Sequence, residues 1–114
     1  MIYIGFSTKT NKLLANILCK TYCHCAPVFI THDKCVLYQF VRYKKIVPIY
    51  IRPTDINILK NFGWIFIKYN KHIVTNKILK QNAFTCVQFT KRVLQIHNLA
   101  VQTPDALLQY LTHQ

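Results

Sequence analysis

A chain of 114 residues has room for one domain around one core and too little for two. Hydrophobic residues at 52% exclude a disordered tail, and the longest apolar runs, such as Trp64-Ile65-Phe66-Ile67, are far too short for a membrane helix. Fifteen Lys and Arg stand against Asp33, Asp55 and Asp105 with no Glu, a net charge of +12 that favours an anionic partner such as nucleic acid, acidic lipid headgroups or an acidic polymer.

The opening Ile2 to Phe6 reads as a short strand. It carries none of the basic region, apolar block and cleavage site of a secretory signal, so a cytoplasmic protein is expected. Asn11 suits the cap of a helix to about Tyr22, with Leu13, Leu14, Ile17 and Leu18 on one stripe. Cys23 to Ile30 and Cys35 to Val41 flank the polar Thr31-His32-Asp33-Lys34, which predicts a β-hairpin. Ile46 to Ile51 reads as a third strand of the same meander, placed at an edge by Pro48. A short helix is expected from Thr54 or Asp55 to Asn61-Phe62-Gly63, with Gly63 as a left-handed stop, followed by a strand from Trp64 to Tyr69. Asn70 to Gln81 is polar and basic and carries no clear period. A helix then begins at Cys86, and a last one opens at Thr103-Pro104-Asp105 with Pro at its first position. Strands flanked by helices at both ends give a single α+β domain over residues 1–114, with an antiparallel sheet.

The five cysteines, Cys19, Cys23, Cys25, Cys35 and Cys86, form an odd set without secretory context. They are expected to be free thiols, metal ligands or catalytic groups. Cys86 stands apart. Thr85 and Gln88 have capping-box spacing, which puts Cys86 in a first helical turn, where unpaired N–H groups and the positive end of the dipole favour an anion. A thiol so placed reacts as thiolate. Phe89, Val93 and Ile96 continue from it at helical spacing, so small core filler is the competing role for this cysteine.

A cysteine nucleophile needs a base within reach and a group to orient that base. His113 is one residue from the chain end, His32 falls in a turn and His72 in a basic polar segment. His97 is eleven residues beyond Cys86, about 16 Å along a continuous helix. His24, at the start of a strand, remains. With the hairpin turn centred on His32 and Asp33, residues whose numbers sum to 65 pair, so Ala26 faces Gln39 and His24 faces Val41. His24 and Gln39 are then diagonal neighbours on one face, about 5.5–8 Å apart at Cβ. A Gln there can hold one ring nitrogen and turn the other towards a thiol.

Four segments in order resemble the circularly permuted branch of the NlpC-type papain-like cysteine hydrolases, which includes the lecithin:retinol acyltransferase-like enzymes. They are Ile2-Tyr-Ile-Gly-Phe-Ser-Thr; Tyr22-Cys-His-Cys-Ala-Pro-Val-Phe; Val36-Leu-Tyr-Gln-Phe; and Phe84-Thr-Cys-Val-Gln-Phe with Thr103-Pro104-Asp105-Ala-Leu107. The resemblance implies a papain-like fold with Cys86 as nucleophile, His24 as base and Gln39 as orienting residue. It also implies an acyl-enzyme route to a peptide, acyl-lipid or modified-protein substrate, with no cofactor. The histidine precedes the cysteine by 62 residues, the order of the permuted branch. Pro27 departs from the pattern and is expected to disturb the pairing around it.

Two other readings draw on the same residues. Cys19, Cys23, His24, Cys25 and Cys35 are five ligand types that suit zinc, but strand alternation turns Cys23 and Cys25 away from His24. A non-catalytic basic domain on the same fold is the second, with fifteen cationic residues alternating with seven Tyr and seven Phe, as in phosphate contact plus base stacking.

Overall fold

The computed structural model describes residues 1–8, 22–32, 34–43, 45–71, 78 and 83–113. Its strands are β1 (Ile2–Ser7), β2 (His24–Ile30), β3 (Cys35–Arg42), β4 (Lys45–Ile51) and β5 (Ile65–Tyr69). Its helices are α1 (Asp55–Asn61), α2 (Cys86–Leu94) and α3 (Pro104–Thr112). The strands form one antiparallel sheet in the order β4-β3-β2-β1-β5. Among the described residues this is a small α+β domain of five strands and three helices. No helix among them is long and apolar enough to cross a membrane. The expected helix over residues 11–22, apart from Tyr22, lies outside the described residues, as do Cys19, Asp33, His72 and most of the segment 70–81.

The period-2 alternation of β1 and β2 sorts their side chains to two faces. Ile2, Ile4 and Phe6, with Cys25 and Tyr69, pack under Val87 and Leu94 of α2 and Leu107 of α3. Phe40 of β3 joins Phe89 and Val93 on the same side. On the other face Ala26, Val28, Cys35 and Leu37 lie under Ile56 and Leu59 of α1 and the rings of Trp64 and Phe66. Phe6, Phe89, Leu94 and Leu107 are essentially inaccessible, and each contributes about 1.5–3 kcal/mol over an exposed side chain.

Local chemistry explains the element ends. Gly63 (φ 95°) follows α1 in the left-handed region. Gly63 N–H donates to Lys60 O and Trp64 N–H to Leu59 O, the two bonds of a Schellman stop. Pro48 lies on the edge strand β4, opposite Tyr38. The hairpin has the expected register: Ile30 faces Cys35, Phe29 faces Val36 and Val28 faces Leu37. That ladder stops beside Pro27, which sits in a central strand and has no N–H to give. Pairing of β2 with β1 continues past it, to Phe6 opposite Cys25 and Ser7 opposite His24. The first residues of β2 are therefore tied to β1 alone, and the candidate site forms beside them.

Candidate active site

Thr85 is the N-cap of α2, extended at φ −138° and ψ 161°, and its Oγ1 accepts from Gln88 N–H at 3.0 Å. Gln88 Oε1 accepts in return from Phe84 N–H at 2.7 Å. The reciprocal arm thus reaches one residue beyond the cap itself, a small departure from the expected box. Cys86 is the first residue of the helix, and no acidic side chain shares its first turn. Both features favour negative charge on the sulfur. The buried Val87, Phe89, Thr90, Val93 and Leu94 seat one side of α2 against β2 and β3, which fixes where its N-terminus points.

β2 brings His24 to that point. The His24 ring sits beside Cys86, close enough to act on the thiol and lower it. His24 Nε2 lies 3.0 Å from Gln39 Oε1, and Gln39 Nε2 donates to Phe40 O at 3.5 Å, which presents Oε1 to the ring. With Nε2–H donating to Gln39, Nδ1 is the nitrogen that carries the lone pair. The expected pairs Ala26–Gln39 and His24–Val41 are not made, because the ladder ends at Val28–Leu37, yet Gln39 still meets His24 from the strand face the register assigned to both. His32, His97 and His113 are exposed, and α2 ends at Leu94, before His97.

The sulfur has a second neighbour that the sequence reading turned away from the site. Cys25 is wholly buried in the cluster against which Cys86 packs. Cys25 Sγ also lies 3.6 Å from Thr90 Oγ1, one helical turn below Cys86. The Cys25 hydrogen bond, opposed by desolvation and joined by the hydrogen bond and charge of His24, lowers the Cys86 thiol from 9.0 to about 4. Burial and the adjacent sulfur push Cys25 the other way, well above the ordinary thiol value. The two shifts run in opposite directions, favouring thiolate at Cys86 and thiol at Cys25. Alternation correctly assigned Cys25 to the face opposite His24. It could not show that α2 docks where the β2–β3 ladder has ended, within reach of both residues.

Other side chains hold these in place. The rings of His24 and Trp64 meet edge to face, with centroids 6.0 Å apart and planes at 86°. Trp64 lies over Gly5, where a Cβ would come within 2.9 Å of Trp64 Cε3 and 2.8 Å of Phe66 Cε1. Gly5 thus leaves the space for the indole that backs the imidazole. Upstream, Tyr22 N–H donates to the Asp105 carboxylate at 3.2 Å and Cys23 N–H to Ser7 O at 2.9 Å, anchoring the start of β2 to α3 and β1. The sequence marks Gly5, Trp64 and Asp105 only as unusual residue types. Their pairing depends on strand order.

Among the described residues no three of His, Cys, Asp and Glu converge as a metal-binding group. Cys35 is buried beside Leu37, on the α1 side of the sheet. A cleft of about 410 Å³ lined by Ile2, Phe29, Lys68, Tyr69 and Lys71 opens at the end of the sheet remote from His24. It contains none of Cys86, His24, Gln39 and Cys25, so the cluster at Cys86 is the better candidate. No known family model, curated protein or solved structure matches the chain.

Proposed function

We propose that the chain is a cysteine hydrolase or acyltransferase of papain-like design, with Cys86 as nucleophile, His24 as general base and acid, and Gln39 as orienting residue. One observation carries this reading. A thiol at a helix N-terminus is lowered by a neighbouring histidine, and Nε2 of that histidine lies 3.0 Å from a glutamine oxygen. That is the nucleophile–base–orienter order required for acyl transfer. The resemblance of the four segments to the permuted NlpC-type enzymes points the same way.

In this mechanism the Cys86 thiolate attacks the carbonyl carbon of an amide, ester or thioester. The oxyanion that forms is stabilised by N–H groups at the start of α2, Cys86 N–H among them. The imidazolium of His24 gives its Nδ1 proton to the leaving group, and the carbon–heteroatom bond breaks to leave a thioester on Cys86. His24 then takes a proton from water, or from an acceptor alcohol or amine, which attacks the thioester and releases the thiolate. Gln39 keeps Nε2 occupied throughout, so proton traffic stays on Nδ1. Every step uses this chain's own groups, and no cofactor is needed. The four described cysteines are free, which suits a reducing, cytoplasmic setting.

Turnover of p-nitrophenyl esters and of an aryl thioester tests the proposal. Cys86→Ala is expected to abolish it, His24→Ala to lower kcat/KM by about 10²–10⁴-fold, and Gln39→Ala to lower it by about tenfold through loss of one orienting hydrogen bond. Equal rates for wild type and Cys86→Ala would overturn it.

A binding reading has its own observation. Tyr43 and Phe84 stack with centroids 4.6 Å apart and planes at 4°, both substantially exposed, beside Arg42 and Lys45 on a chain of net charge +12. Stacking surface next to cations suits single-stranded nucleic acid. Oligonucleotide affinity that falls steeply with salt and is indifferent to Cys86→Ala would favour this reading over catalysis.

A further inference from the structure

Two exposed rings stand at the rim of the candidate site, and the mechanism above has no use for them. Phe84 and Tyr43 stack with centroids 4.6 Å apart and planes at 4°, yet Phe84 is 70% and Tyr43 43% exposed. Each is set by an element that also supplies a site residue. Phe84 lies two residues before Cys86, across an extended Thr85, so their Cα atoms are about 7 Å apart. Its backbone is fixed on both sides. Ala83 is buried in the core with Phe89 and Val93, and Phe84 N–H donates to Gln88 Oε1 at 2.7 Å. Tyr43 follows the end of β3, four residues beyond Gln39, where Arg42 pairs with Lys45 of β4. The docking of α2 on β3 does not need these two rings. Phe40 and Phe89, with centroids 6.3 Å apart, already join the same elements inside the core.

We propose that the Tyr43–Phe84 stack is the specificity platform of the candidate site, and that the substrate carries a planar aromatic group close to its scissile carbonyl. The proposal rests on the reading of Cys86 as nucleophile and names the substrate class of that site. Apolar surface left in water is unfavourable until something covers it. Tyr43 covers one face of the Phe84 ring, so the large exposure of Phe84 belongs to its other face and its edge. A third ring can lie on that face as Phe84 lies on Tyr43, parallel and offset, and rings so paired attract beyond the area they bury. A saturated ring covers the same area without that gain, so the platform favours a flat ring over a puckered one of equal size. The reach suits the chemistry. With Phe84 and Cys86 about 7 Å apart at Cα, a ring on the platform sits about two to four bonds from a carbonyl held at the sulfur. Tyr43 acts as a positioning residue, holding the Phe84 ring in one orientation. Single-stranded nucleic acid is the weaker occupant. A strand is held by successive platforms along a cationic groove, whereas this is one pair set between the nucleophile helix and the strand of Gln39.

The test compares alkylating agents at Cys86, read at the Cys86 peptide by mass spectrometry in folded protein, and requires no turnover. N-Benzyl- and N-(2-phenylethyl)iodoacetamide carry a flat ring a few bonds from the reacting carbon; N-(cyclohexylmethyl)iodoacetamide carries a puckered ring of similar size. Each rate is divided by that of iodoacetamide on the same protein, then by the same ratio for an unstructured cysteine peptide, so changes in the thiol itself cancel. The better aromatic reagent is expected to exceed the cyclohexyl reagent by about three- to tenfold. Phe84→Leu is expected to cut that preference below about twofold, Phe84→Tyr to keep it, and Tyr43→Leu to lower it by less than Phe84→Leu. No aromatic preference in wild type, or a preference that survives Phe84→Leu, would overturn the proposal. No preference together with oligonucleotide affinity lost in Phe84→Leu would assign the stack to nucleic acid instead. An aromatic preference in a protein without turnover on any acyl substrate would uphold the aromatic site while removing the enzymatic reading.

Discussion

Lowering the pH separates the Cys86 thiolate from an ordinary thiol more sharply than any substitution. With its ionisation lowered to about 4 by the hydrogen bonds of Cys25 and His24, Cys86 is almost wholly thiolate at pH 7 and still about nine-tenths thiolate at pH 5. An unstructured cysteine peptide of pKa about 8.5 loses about a hundredfold of its thiolate over the same interval. Iodoacetamide labelling should therefore fall about a hundredfold for the peptide between pH 7 and 5, and by barely a tenth for Cys86. Absolute rates are less decisive. A thiolate weakened by about 4.5 pKa units also loses about a hundredfold of its nucleophilicity, with a Brønsted slope of about 0.4–0.5. For equally accessible sulfurs the two rate profiles should consequently cross near pH 6.5, with Cys86 about 15- to 50-fold faster at pH 5 and slower above the crossing. Partial burial of Cys86 scales its rate at every pH and leaves the shape intact. The assay is site-resolved labelling across pH 5–9, with circular dichroism checking that the fold persists. A Cys86 profile parallel to that of the peptide would refute the reasoning.

Three substitutions probe the frame around the site. Gly5→Ala puts a methyl group 2.8–2.9 Å from Phe66 and Trp64. It should cost about 1–3 kcal/mol, seen as a lower Tm, and should slow any turnover by displacing the indole behind His24. Gln95 caps α2 in the left-handed region at φ 58°, so Gln95→Gly should raise stability in urea by about 0.5–1 kcal/mol. An unchanged midpoint would show that the strain is absent. Lys91 Nζ donates to Asn98 O at 2.6 Å and Val101 O at 2.8 Å from a buried position. Lys91→Met keeps the stem but strands both carbonyls, and should cost about 2–3 kcal/mol with faster amide exchange over 98–101; wild-type exchange there would contradict it.

The parts of this fold legible in the sequence are those set within a few residues. Thr85 and Gln88 cap α2, Gly63 stops α1, Pro104 opens α3, and β2 pairs with β3 in the register expected of the hairpin. Pro27 was equally informative: the β2–β3 ladder ends beside it. What could not be read depends on tertiary docking. Gly5 and Trp64 meet because β5 adds to β1 rather than to β4, an order that no local pattern specifies. Cys25 meets Thr90 of α2 because that helix packs across β2. Alternation along a strand assigns faces, not the position of a helix above them. The left-handed end of α2 at Gln95 also lacks a signal, since its bonds to Lys91 and Arg92 carbonyls are made without a glycine.

Trapping an acyl group on the sulfur addresses the central claim most directly. After brief mixing with p-nitrophenyl acetate at pH 6 and acid quench, peptide mapping should find the acetyl group on Cys86, with much less in His24→Ala and none on Cys23 or Cys35. Acetyl spread over the cysteines in proportion to their exposure, or an unmodified Cys86, would contradict a His24-assisted nucleophile.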